Sequence, residues 1–292
     1  MWVFILYKAG QILSCYLPSS LAYWIARRIA DLLFAFPFGK CKLYKEAVLH
    51  NLDLITNCNN KTKMTREVFR NFASYVREFL WLARMDKSRF FRKVMPVGIE
   101  NLDAALKRGK GVLLLSAHFG NWEWGGISLA LCGYNVYFLV RPHINPHTNR
   151  LFCSLREKGN IKIIPVTHLR KAVKLLRGNA VVATLVDEAD EGVKVNLFGK
   201  KVAVASGPFK IAYRAGAAIC PAFMVKDKKT GKQKGVVEPP IKLSSNTQTE
   251  KSIQMAAQRF IQIMEDYLRF YPHQWFLFKE KRVYSTTSCE GK

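Results

Sequence analysis

His118 and Glu123 stand five positions apart in the segment Ser116–Gly126, which reads Ser-Ala-His-Phe-Gly-Asn-Trp-Glu-Trp-Gly-Gly. A hydroxyl is a poor nucleophile until a base takes its proton as it attacks, and an imidazole is the side chain best matched to that task near neutral pH. A carboxylate on the second ring nitrogen fixes the tautomer and steadies the imidazolium that forms. On one continuous helix this spacing would set the two side chains about 140° apart, at ~100° per residue. They meet only if His118 lies in a turn and Glu123 in the first turn of a following helix. Gly120 supplies the turn position and Asn121 a good N-cap. His118 is therefore expected as general base and Glu123 as the carboxylate that orients it. By composition alone, His-x4-Asp/Glu would arise about 0.4 times in such a chain. No other histidine here has an acid at that offset. The context carries more weight than the spacing.

That context is an α/β pattern. Gly111–Ser116 is a short apolar run, so His118 is expected at the carboxyl end of a strand, the edge at which open α/β sheets bind ligands. Trp122–Cys132 reads as the helix that follows. Strands over 135–140, 161–166 and 180–186 alternate with helices over 145–158 and 167–176, the second capped by Thr167. Strands separated by helices of 10 to 15 residues imply βα units and a largely parallel, mixed sheet flanked by helices. Residues 193–205 break the rhythm and predict a hairpin turning at Gly199-Lys200. Ser206-Gly-Pro opens a helix to Arg214. Ala218–Val225 and Gly235–Glu238 are strands around a basic turn, Lys226–Lys234. A long amphipathic helix spans Thr249–Phe270, Trp275–Phe278 is a late apolar run, and the last ten residues are expected to fray.

Ahead of this core, residues 1 to about 95 read as mainly helical. Val48, Leu49, Leu52 and Ile55 keep a helical period, as do Val68, Phe72, Tyr75, Phe79 and Leu82, with Thr65 as a helix start. No clean span of about 20 apolar residues occurs. The apolar stretches of residues 2–38 are broken by Lys8, Pro18, Arg27, Arg28 and Asp31, and they carry Trp2 and Trp24. This fits helices lying in a membrane interface better than spanning it. The expected organisation is a membrane-associated helical segment over 1–40 and a catalytic domain over 41–292. Within the latter, 41–95 is a helical lead-in and 96–282 the α/β core.

The 46 basic and 21 acidic residues leave a formal charge of +25. The excess is spread along the chain, 11 in residues 1–115 and 14 beyond. Such a surface suits anionic lipid, phosphorylated substrates or nucleic acid. Aromatic RNA-binding motifs, zinc knuckles and helix-turn-helix signals are missing, which argues against nucleic acid and leaves a non-catalytic basic protein as the weaker alternative. The seven cysteines are odd in number and form no C-x-x-C pair, so free thiols on the cytosolic side are expected. No Walker loop, dinucleotide fingerprint or Gly-x-Ser-x-Gly elbow is present. His143 and His147 lack further ligands at metal spacing.

The motifs resemble those of the bacterial lipid A late acyltransferases, the lauroyl/myristoyl transferase family within the wider glycerolipid (lysophospholipid) acyltransferase group. The resemblance runs from about Tyr44 to Arg282. It rests on His118-Phe-Gly-Asn-Trp-Glu123, on Val140-Arg-Pro-His-Ile-Asn145, on Arg156, on Val186–Asp190 with Leu197-Phe-Gly199, and on Pro272-His-Gln-Trp-Phe-Leu-Phe278. In the family's Asp-Gln-Asp segment only Asp187 carries over, and Phe278–Arg282 replaces a His-Arg-Arg run.

The resemblance implies an O-acyltransferase of the His-x4-Asp/Glu type. Its donor would be an acyl carrier protein or coenzyme A thioester, with no further cofactor and no metal. Its acceptor would be a lipid A precursor or related glycolipid, with a lysophospholipid or mannosylated phosphatidylinositol as the alternative. Its place would be the cytoplasmic face of the inner membrane, against anionic lipid. Arg141, Arg156, Asp187 and Asn121 are the expected substrate-contacting residues, the arginines because guanidinium matches oxyanions bidentately. Asp187 is also expected on the same sheet edge as His118.

Overall fold

Apolar strands form the centre of the molecule, and helices pack on both of its faces. The computed structural model describes residues 2–36, 38–57, 59–189, 191–242 and 248–284. Five helices come first: α1 (Trp2–Tyr16), α2 (Ser19–Ala35), α3 (Gly39–Ile55), α4 (Lys61–Trp81) and α5 (Lys87–Phe91). Then follow β1 (Val94–Val97), α6 (Ile99–Leu106), β2 (Val112–Ser116), α7 (Trp122–Leu131), β3 (Val136–Val140), α8 (Pro146–Lys158), β4 (Lys162–Pro165), α9 (Leu169–Arg177) and β5 (Val181–Leu185). The chain continues through β6 (Val193–Leu197), β7 (Lys200–Val204), α10 (Gly207–Ala215), β8 (Ala218–Lys226), β9 (Gln233–Val237), α11 (Glu250–Phe270) and β10 (Val283–Tyr284).

Seven strands form one sheet in the order β1-β9-β8-β2-β5-β3-β4. Every pairing in it is parallel except β8 with β9, which the basic turn closes as a hairpin. β10, β7 and β6 make a small antiparallel sheet. The mixed, largely parallel α/β architecture thus agrees with the reading of the sequence. β2 lies at the centre of the large sheet, with Val112, Leu113 and Leu115 fully buried. Each such side chain contributes about 1.5–3 kcal/mol of hydrophobic stabilisation. One core cluster joins α3, α4, α9, α10 and α11 to one face of the sheet; the other joins α4 again, with α6, α7 and α8, to the opposite face.

Several local expectations shift. α4 starts at Lys61, where the Asn60 side chain accepts from the Lys63 N–H, and Thr65 is buried inside the helix. The cap of α9 is His168, with no side-chain cap bond, while the Thr167 hydroxyl faces the His168 ring. The hairpin turns at Phe198-Gly199, both at positive φ, so β7 already begins at Lys200. That is the backbone twist two-residue hairpins favour. Ser206 precedes α10 but makes no side-chain cap bond. The late apolar run is buried from Trp275 to Leu277, and Trp275 bridges Phe119 just beyond β2. Of the ten residues expected to fray, only Val283 and Tyr284 are described. Cys58, Cys289 and Asp190 also lie outside the described residues.

No described helix is long and apolar enough to cross a membrane. α1 and α2 pack on α4 and leave Trp2, Leu6, Trp24, Leu32 and Phe36 exposed, Trp2 by 80%.

Candidate active site

β2 and β5 run parallel with Ser116 opposite Leu185, so the residues two beyond each strand reach the same level. There the His118 N–H donates to both oxygens of Asp187, at 3.1 and 3.0 Å. His118 Nδ1 lies 2.9 Å from Asp187 Oδ1. Asp187 is fully buried and also accepts from Trp275 Nε1 at 2.8 Å. Lys281 Nζ donates to the backbone carbonyls of Asp187 and Ala203. Burial alone would raise the Asp187 carboxyl, but His118, Trp275 and Lys281 hold it below its ordinary value. An ionised carboxylate only accepts, so Nδ1 carries the proton and Nε2 is the basic atom of the neutral ring. Burial by itself would lower the His118 pKa; Asp187, with Glu188 at 3.7 Å from Nε2, carries it above the usual imidazole value instead.

The turn after His118 is tied down by the 272–277 segment. Gly120 N–H donates to the Gln274 carbonyl at 2.8 Å, and Phe276 N–H to the His118 carbonyl at 2.6 Å. Gly120 has φ +60°, and a Cβ there would lie 1.9 Å from the Met224 carbonyl oxygen. Only glycine fits both the left-handed backbone and that approach.

Asn121 then caps α7 by accepting from the Trp124 N–H at 3.0 Å, while its own amide donates to Glu78 Oε2 at 2.7 Å. Glu78, 1% exposed, also accepts from Tyr23 Oη, Lys226 Nζ and Gln233 Nε2, all within 2.8 Å. Burial would raise its carboxyl, but Lys226 and these donors hold it below its ordinary value. The sequence reading missed Glu78. Its only signal is a charge on the face of α4 that also carries Tyr75 and Phe79.

Glu123 does lie in the first turn of α7, as the spacing predicts, but it does not meet His118. Its carboxylate takes three contacts from Arg156: Nη2 to Oε1 at 2.6 Å, and Nε to Oε2 and Oε1 at 3.0 and 3.2 Å. Trp122, one residue earlier, packs edge-on against the His118 ring at 5.3 Å. A helix turns ~100° per residue, so Glu123 faces away from His118 and toward α8. Arg156 is buried over the rings of Phe79 and Phe152. The expected His118–Glu123 contact is thus replaced by His118–Asp187 and Glu123–Arg156.

These groups border a cavity of about 570 Å³ lined mainly by apolar and aromatic residues, among them Trp122, Leu129, Phe138, Phe152 and Phe223. His118, Glu123, Arg156 and Glu188 supply polar points on its wall. Arg141 is exposed and lines the cavity too. Of the four expected substrate contacts, it alone has a side chain not occupied within the protein by the bonds given above. A sequence profile described as bacterial lipid A biosynthesis acyltransferase matches residues 1–282.

This chain belongs to the bacterial lipid A biosynthesis acyltransferase family.

Among its relatives in this acyltransferase family, the phosphatidylinositol mannoside acyltransferase of Mycolicibacterium smegmatis is 28% identical over 166 residues, 54% of either chain. A lipid A biosynthesis acyltransferase of Haemophilus influenzae is 24% identical over 182 residues, 58% of this chain and 57% of that one. The lipid A biosynthesis palmitoleoyltransferase of Escherichia coli is 26% identical over 218 residues, 72% of this chain and 69% of that one. The matched stretch spans about half the length of the mycobacterial relative.

Proposed function

We propose that this chain is a membrane-surface O-acyltransferase of the His-x4-Glu type that moves a fatty acyl group from a thioester to a glycolipid hydroxyl. The observation that carries the reading is His118 held by a buried Asp187 at the wall of a largely apolar cavity, in a chain of this family. His118 Nε2 takes the proton of the acceptor hydroxyl as its oxygen attacks the thioester carbonyl. Asp187 steadies the imidazolium, the role first expected of Glu123. The N–H groups of Trp122 and Glu123 at the start of α7, which lack intrahelical acceptors, stabilise the oxyanion. The C–S bond then breaks, and the proton passes from His118 to the leaving thiolate. Glu123 and Arg156 hold the cavity wall, and Arg141 meets anionic groups of donor or acceptor.

The donor class is an acyl carrier protein or coenzyme A thioester, with no further cofactor. The acceptor is a lipid A precursor or a related glycolipid. The mycobacterial relatives favour a second acceptor within the same chemistry, mannosylated phosphatidylinositol. The exposed Trp and Leu side chains of α1 and α2 and the net positive charge support docking of segment 1–40 on an anionic membrane. In a bacterium with an inner membrane this is its cytoplasmic face.

The test is acyl transfer from acyl carrier protein and coenzyme A donors to a lipid A precursor, a lysophospholipid and a mannosylated phosphatidylinositol, with wild type and His118→Ala. Loss of transfer in His118→Ala to one glycolipid supports the reading. Full activity in that variant, or no transfer to any acceptor, refutes it.

A further inference from the structure

A second cavity, of about 460 Å³, lies between the α1–α2 turn, α4, α5 and the β8–β9 turn. It shares no lining residue with the His118 cavity. Its charged lining is Arg77, Arg89, Arg92, Lys93 and Lys232, and among the described residues no carboxylate lines it.

Arg77 is the unusual member. It is 4% exposed, and its Nη2 donates to Ser19 Oγ at 3.1 Å. Its Nε and Nη1 are buried with no hydrogen-bond acceptor among the described residues, and the guanidinium lies over the Tyr23 ring at 4.5 Å. Its neighbour Glu78 does not compensate it by an ion pair, because that carboxylate is taken by Lys226, Tyr23, Asn121 and Gln233. Buried guanidinium N–H groups without acceptors are costly, and such a group in a folded protein calls for a ligand or an ion.

Two further features converge on the same cavity. Ser19 is the first residue of the 17-residue helix α2, and Pro18 before it makes no side-chain cap bond. Ser19 lines the cavity, so the start of α2, where the first N–H groups lack intrahelical acceptors, lies at its wall. Lys93, also in the lining, lies below its ordinary pKa through burial first and then through the charges of Arg77, Lys226 and Arg92, against the opposing pull of Glu78. The cavity gathers five positive side chains, and among the described residues no carboxylate stands in its lining.

We propose that this cavity is a phosphate-binding site, in which a phosphoryl group is held between Arg77 and the Ser19 end of α2, with Arg89, Arg92, Lys93 and Lys232 around it. Guanidinium and a helix N-terminus are the two donors best suited to a tetrahedral oxyanion. The site is independent of the catalytic reading. The phosphoryl group belongs either to a membrane phospholipid, reached beside the exposed apolar side chains of α1 and α2, or to a soluble phosphate compound. In both cases it fastens the α1–α2 turn to α4.

The full chain is titrated with inorganic phosphate at constant ionic strength by calorimetry. In parallel it is sedimented with phosphatidylcholine vesicles with and without phosphatidate. Wild type is compared with Arg77→Gln and with the double variant Arg92→Ala/Lys232→Ala, whose positions are exposed. Phosphate affinity is expected to fall about tenfold or more in each variant, the loss of a charge-assisted hydrogen bond. Phosphatidate-dependent sedimentation that falls in the variants identifies a lipid headgroup. Variant-sensitive phosphate binding with unchanged sedimentation identifies a soluble ligand. If wild type binds neither probe, or both variants bind both probes as wild type does, the site is refuted. Should Arg77→Gln fail to fold by circular dichroism, the surface double variant decides alone.

Discussion

Arg156 holds Glu123 through three N–H···O contacts and so removes from His118 the carboxylate nearest to it in the helix that follows. Both members of the pair are buried. Breaking such a pair leaves an uncompensated charge, whereas replacing both partners does not. Arg156→Met is therefore expected to destabilise the fold by about 3–5 kcal/mol. The double change Arg156→Met/Glu123→Leu is expected to recover most of that loss. Urea denaturation of the single and double variants checks it, and a double variant no more stable than Arg156→Met contradicts it.

Asp187 sets the basicity of His118. Because the folded His118 pKa is raised, the neutral base appears only above the ordinary imidazole range, and the acid limb of kcat/KM lies correspondingly high. Asp187→Asn removes the anion. The limb should move to lower pH while the rate falls by roughly 10²–10⁴-fold, the range for loss of an orienting carboxylate or of base catalysis. Glu123→Gln should leave the position of the limb unchanged. Full pH–rate profiles of the three proteins separate these outcomes, and a limb that follows Glu123 instead of Asp187 reverses the assignment.

His273 makes the fold acid-sensitive. Burial first, then Lys228, pushes its pKa down to about 4, and its Nε2 is buried without a hydrogen-bond partner among the described residues. The unfolded chain takes up this proton near pH ~6.5, while the folded chain resists it to about pH 4. Stability is therefore lost as pH falls through that window, by roughly 2–3 kcal/mol at its lower end. Melting temperatures of wild type and His273→Gln between these limits test it. The variant should show a smaller drop.

Gly120 is the position where the turn tolerates no side chain. In Gly120→Ala the new methyl meets the Met224 carbonyl on a left-handed backbone. Strain of this kind costs on the order of 1–3 kcal/mol, and relief would have to displace the His118 turn. Lower thermal stability and a kcat reduced more than KM is altered are expected. An alanine variant with wild-type stability and kcat would show that the turn relaxes without moving His118.

Most elements were legible in the sequence because their causes are local. The apolar run of β2, the Asn121 cap of α7, the Asn145 cap and Pro146 start of α8, and the capping box at Thr249 each depend on residues within a few positions. His118 at a strand end was legible for the same reason. The shifted starts of α4 and of the β6–β7 hairpin show where one cap or turn competes with another close by. Asn60 won over Thr65, and the positive-φ pair Phe198-Gly199 won over Gly199-Lys200.

The sequence by itself determined the strand–turn–helix that carries His118, the α/β sheet around it and the short list of charges near it. Tertiary structure alone decided how those charges pair. His118 and Asp187 are 69 residues apart, Glu123 and Arg156 33, and Glu78 and Lys226 148. The parallel register of β2 with β5 puts Asp187 level with His118, and the pitch of α7 turns Glu123 toward α8. A buried carboxylate takes the donor that the packing brings to it, and no spacing along the chain encodes that choice.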